Sequence, residues 1–169
     1  MSYIRKIRDI EVNPPQNNAL GTTVTGTLSE TITQSVLIPA NTFKLYDIFG
    51  IEARLRKQNT NGTTILKLRL GSSNTIAGTY QVAIMSGSST QTLVPITRRA
   101  VIQSISAATI FVSTGTTLFS DVFMDNQGYS TIPIDWQVDN YLLLTAQLGS
   151  TLDIVNSTGL VIDCPQGEN

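Results

Sequence analysis

Residues 48–71 read IFGIEARLRKQNTNGTTILKLRLG, and their alternation decides the fold class. From Ile51 to Arg56, and again from Leu66 to Leu70, apolar and polar side chains alternate with a period of two, as strands buried on one face require. Asn61-Gly62 between them offers the two positive-φ positions of a type I′ turn, so the stretch predicts a hairpin closed by a two-residue loop. In that register Arg56 opposes Lys67, Leu55 opposes Leu68, Arg54 opposes Arg69 and Ala53 opposes Leu70. One face is then apolar, and the other is a ladder of cations: Arg54, Arg56, Lys67 and Arg69. Like charges directly opposed across strands cost up to about 1 kcal/mol, so the ladder calls for carboxylates. An ion-pair seam with another strand or subunit would supply them, with Asp121, Asp135 and Asp139 as candidates. The alternatives are a solvated face on which Glu52 takes part of the charge and, third, an external anionic ligand.

Working outward, the same kind of pattern recurs between turn clusters spaced by about eight to twelve residues. The two strands of this stretch are expected at 48–58 and 64–70, and further strands at 22–28, 31–38, 79–85, 92–96, 100–106, 109–113, 117–124, 141–148 and 152–164, the last broken near Asn156-Ser157. No helix-period pattern stands out. The reading is an all-β chain: a two-sheet antiparallel jelly-roll sandwich over residues 21–169, with an extended N-terminal arm over residues 1–20. In the arm Ile4, Ile7 and Ile10 recur every third residue beside Arg5 and Arg8, and Pro14-Pro15 then stops any regular element. Ile4, Arg5, Ile7, Arg8 and Ile10 are the candidate docking residues.

Composition sets the function classes. The chain has 169 residues, 41% of them hydrophobic and only 14% charged, with a net charge of -1. The charged fraction lies well below the roughly 25% of an ordinary soluble domain, so part of the surface is expected to face other subunits. No basic stripe marks nucleic-acid binding, and no continuous apolar segment marks membrane insertion. Histidine is absent, which removes the commonest general base, the commonest neutral metal ligand and the Ser-His and Cys-His pairs. The single cysteine, Cys164, can form neither an internal disulfide nor a zinc site, and reads as a small buried residue near the last strand.

The remaining motifs are weak. Asp121, Asp125, Asn126 and Gly128 lack the alternating acidic order and terminal glutamate of a calcium loop. Asp135 and Asp139 on an extended strand would lie about 13 Å apart, beyond the ~5–9.5 Å of glycosidase pairs, with Trp136 and Val138 pointing inward. Neither a phosphate loop nor a dinucleotide fingerprint is present. The expectation is a protein that is not an enzyme and that uses no metal and no cofactor.

Several pieces together carry a resemblance: Ile38-Pro39-Ala40-Asn41-Thr42-Phe43, Asp47, Glu52-Ala53-Arg54, the run 60–71, Arg98-Arg99, and Asp139-Asn140 leading to Thr145-Ala146-Gln147. In this order they resemble tailed-bacteriophage virion proteins with a jelly-roll domain, of the head or tail fibre, spike or decoration type. The resemblance implies a homotrimer made in the host cytoplasm and carried on the phage particle surface. Its N-terminus would point to capsid, portal or tail proteins, and its β-domain outward. A glycan-binding receptor tip is the alternative, in which Tyr129 would stack on a host-surface glycan.

Overall fold

The computed structural model describes residues 10–11, 21–59, 61–90, 93–106, 108–112 and 129–163. Its strands are β1 (Ile10–Glu11), β2 (Val24–Thr25), β3 (Thr31–Ile38), β4 (Ile48–Gln58), β5 (Thr64–Gly71) and β6 (Tyr80–Gly87). They continue with β7 (Leu93–Ser104), β8 (Ala108–Val112), β9 (Tyr129–Ile132), β10 (Asn140–Leu148) and β11 (Ile154–Asp163). One sheet runs β1-β11-β4-β7-β8-β9, with β2 also on β11; the other runs β3-β10-β5-β6, and all pairs are antiparallel. The rows β2-β11-β4-β7 and β3-β10-β5-β6 face each other as the two four-stranded sheets of a jelly roll.

Alternation places each side chain. Ile51, Ala53 and Leu55 of β4 and Leu66, Leu68 and Leu70 of β5 point into one core with Ile96, Ile102, Leu142, Leu144, Ala146, Leu160 and Ile162. The expected break in β11 is a register shift between Ser157 and Gly159. Two expected strands, at 92–96 and 100–106, are one continuous β7, and β9 was not anticipated. The strand expected at 117–124, and Cys164, lie outside the described residues.

The hairpin expectation is corrected. β4 pairs with β11 and β7, whereas β5 pairs with β10 and β6, so residues 59–63 cross from one sheet to the other. The positive φ falls on Asn59 rather than on Asn61 and Gly62. The physical reason is charge as well as packing. Crossing keeps both apolar faces inward and sends Arg54 and Arg56 to one outside of the sandwich and Lys67 and Arg69 to the other, which removes the opposed cations that a hairpin would create.

The sandwich has two ends. The upper end carries the β2–β3, β4–β5, β6–β7 and β10–β11 connections; the lower carries β3–β4, β5–β6 and the turns around Ile105 and Trp136. Phe43 stacks on Phe49 at 4.7 Å between ring centroids, and Trp136 meets both edge-on, closing the lower end of the core. Val138 does not point inward with Trp136. It sits in a turn and is exposed, because Asn140 ties that turn through the carbonyls of Asp135 and Val138.

Candidate functional site

At the upper end a buried ion pair joins three connections. Lys57 continues the inward alternation of β4, so its side chain lies in the interior, 4% exposed, 3.2 Å from the fully buried Asp153. Asp153 accepts hydrogen bonds from the amides of Asn61 (2.9 Å) and Gly62 (3.0 Å), while Lys57 Nζ donates to the carbonyl oxygens of Gly62 and Ser89. Burial alone would raise the Asp153 carboxyl, but the Asn61 amide, Lys57 and the Gly62 amide outweigh it and hold it below the ordinary aspartate value. Gly62 and Gly149 make this closure sterically feasible. A Cβ on Gly149 would stand 2.3 Å from the carbonyl oxygen of Thr63, and one on Gly62 would stand 2.7 Å from Gly149.

Beside this pair is a small cavity lined by Leu55, Lys57, Thr64, Leu66, Gly87, Ser88 and Val155. The buried Thr64 hydroxyl has no hydrogen-bond partner among the described residues. An unsatisfied buried hydroxyl costs about 1 kcal/mol or more, so Thr64→Val should raise stability by about 1 kcal/mol. Urea melts measure this, and a destabilised variant would refute it.

On the outer face of the smaller sheet Glu30 receives two cations. Its Oε1 accepts from Arg69 Nε at 2.6 Å and Thr145 Oγ1 at 2.7 Å; its Oε2 accepts from Lys67 Nζ at 2.7 Å and Arg69 Nη2 at 3.0 Å. All three charged side chains are about 85% covered. Burial would raise the Glu30 carboxyl, yet the hydrogen bonds from Arg69, Lys67 and Thr145 prevail and lower it from 4.5 to about 2. A carboxylate held this way is neither a proton donor nor a base near neutral pH.

The four cations read from the sequence are therefore not brought together. Lys67 and Arg69 meet Glu30, which alternation did not single out, and Arg54 pairs with Glu52 on the exposed face of the larger sheet. The carboxylates expected to pair with them do other work: Asp139 accepts from the Ala40 amide and Asp135 from the Gln137 amide, while Asp121 lies outside the described residues. Ile10 lies in β1 opposite Ile162; Ile4, Arg5, Ile7 and Arg8 lie outside the described residues. Tyr129 opens β9 opposite Val112, and its side chain is outside the description. Sequence reading missed Lys57 and Asp153. The signal for Lys57 was its place in the odd-numbered inward set; Asp153, in a turn, gave none.

The lower end differs in character. Leu37, Leu45, Tyr46, Ile48, Tyr80, Val101 and Val138 all leave apolar surface exposed there, against Leu28 and Leu152 at the upper end. Ile48 and Val101 are a cross-strand pair, and the Tyr46 amide donates to the carbonyl of Ile102, so Tyr46, Ile48 and Val101 form one patch. Among the described residues no group of three or more acidic or cysteine side chains is placed to hold a metal, and no helix is long and apolar enough to cross a membrane.

No protein-family model matches the chain, and a search of curated proteins gives no match. Among solved structures, the CBM2 module of the evolved Dit of Lactobacillus casei BL23 phage J-1 matches at 12% identity and a TM-score of 0.34, covering 80% of this chain and 70% of that one. At that level the likeness assigns the chain neither a ligand nor a role.

Proposed function

We propose that the chain is a structural component of a phage particle, attached through its N-terminal arm at the lower end, with the upper end outward, as a homotrimer. The observation that carries this reading is the polarity of the sandwich. Ile10–Glu11 pairs with Val161–Ile162 of β11, in the half of the sandwich where exposed apolar side chains gather. The opposite end is closed by the Lys57–Asp153 pair. A rigid β-module with one apolar end and one locked end suits attachment rather than turnover. In support, among the described residues the two carboxylates held below their ordinary values, the largely covered Glu30 and the buried Asp153, are already engaged by cations and are poor candidates for acid–base chemistry.

Light scattering on the purified protein should give three times the 18.3 kDa chain mass, and peptide mass spectrometry of purified particles should find the chain. A monomer at micromolar concentration overturns the trimer. Absence from particles overturns the attachment.

A further inference from the structure

We propose that Asn61 is a latent modification site, a succinimide-forming asparagine that the Asp153 carboxylate holds unreactive while the upper end is closed. Asn61-Gly62 is the one Asn-Gly step in the chain. A glycine at the second position leaves the backbone nitrogen unhindered by any Cβ, so that nitrogen can reach the asparagine side chain. In the reaction the Gly62 nitrogen attacks Asn61 Cγ. An N–Cγ bond forms, the Cγ–Nδ2 bond breaks, and ammonia leaves with the proton that the Gly62 amide carried. Water then opens the cyclic imide at either carbonyl carbon, giving aspartate or, with the backbone rerouted through Cβ and Cγ, isoaspartate. Asn61 is exposed, so water reaches it.

The contacts of Asp153 oppose the first step. The Gly62 N–H, whose nitrogen is the nucleophile, donates to Asp153 Oδ2 at 3.0 Å, and the Asn61 amide donates to Oδ1 at 2.9 Å. Successive N–H groups converging on one carboxylate have the turn conformation of an anion nest, whereas ring closure needs a rotation about the Asn61 Cα–C bond that swings the Gly62 nitrogen toward Cγ. The leaving group is held as well, since Asn61 Nδ2 lies 3.4 Å from the same Oδ1. Lys57 pairs with Asp153 and donates to the Gly62 carbonyl oxygen, so Gly62 is fixed through both its amide and its carbonyl. The products do not fit the closed end. An isoaspartate lengthens the backbone where a Cβ on Gly62 would already stand 2.7 Å from Gly149, and either product adds a carboxylate beside that of Asp153. Conversion and closure therefore exclude each other, and conversion follows the population in which the Asp153 contacts have opened.

Timed incubation of the full-length protein at mildly alkaline pH, followed by trypsin, tests the proposal. Cleavage after Lys57 and Lys67 releases residues 58–67 with this Asn-Gly step inside, and mass spectrometry separates the amide from the acid. Conversion in the unmodified protein should be at least about tenfold slower than in a synthetic peptide of residues 58–67, because only the opened population reacts. Asp153→Ala should move the rate toward that of the peptide. Asp153→Asn, which keeps an acceptor for the backbone, should lie between the two and carries the test if Asp153→Ala does not fold. Glu30→Gln, whose contacts lie on the outer face of the smaller sheet, should convert at the unmodified rate despite its own loss of stability. Conversion of the unmodified protein at the peptide rate overturns the proposal, as does an unchanged rate in the Asp153 variants. Equal acceleration by Glu30→Gln and Asp153→Asn also overturns it, in favour of global unfolding as the route.

Discussion

Replacing Asp153 by Ala should lower the unfolding free energy by about 3–5 kcal/mol. The reason is what remains behind. Lys57 would keep an ammonium group in the interior with only carbonyl oxygens around it, and the amides of Asn61 and Gly62 would lose their acceptor. Asp153→Asn separates the two contributions, since an amide oxygen can still accept from the backbone but carries no charge. It should fall between Asp153→Ala and the unmodified protein in urea melts. A loss below about 1 kcal/mol in Asp153→Ala would mean that the pair is open to water rather than buried.

Glu30→Gln is the second large effect, an expected loss of about 3 kcal/mol near neutral pH. Lys67 and Arg69 are successive outward residues of β5, and without the carboxylate two covered cations would face each other. The sign of the pH dependence follows from the lowered value. A carboxyl at about 2 in the folded chain and 4.5 unfolded contributes stability that is complete above 4.5 and is lost as pH falls toward 2. That interval of about 2.5 pH units is worth ~3 kcal/mol at most. The gap between the unmodified protein and Glu30→Gln should therefore be widest at pH 7 and reduced to about a quarter of that at pH 2.5. Parallel profiles across that range would assign the stabilisation to something other than this carboxylate.

Strand positions were legible from local alternation, and partners were not. The runs 31–38 and 48–58 have the boundaries that turn residues and apolar periodicity predict. Period-two patterning says which face is buried, but β4 and β5 bury the same residues whether they pair edge to edge or face each other across the core. Asn61-Gly62 tipped the local reading toward a hairpin. What decided the matter lies about ninety residues further along the chain, in the carboxylate of Asp153 that takes up the Asn61 and Gly62 amides. The same limit applies to Glu30, which sits in a turn before β3 and reveals its role only when β5 and β10 lie beside it. Four cations in the sequence were a sound reason to look for carboxylates; which carboxylates was a question of topology.

The strand order also sets a schedule for folding during synthesis. β10 sits between β3 and β5, and β11 sits between β4 and the short strands β1 and β2, so each sheet has its centre supplied by residues 140–163. Until those residues leave the ribosome, β3 has no neighbour in its sheet, and β4 has only β7. A nascent chain stalled before residue 140 thus exposes two half-sheets with unpaired edges, the state in which β-rich chains associate wrongly. Pairings this distant along the chain also close slowly. Productive folding therefore waits on the last two strands, and a host that translates this message quickly and holds the nascent chain apart from its neighbours should yield more soluble protein than one that pauses in the codons before Asn140.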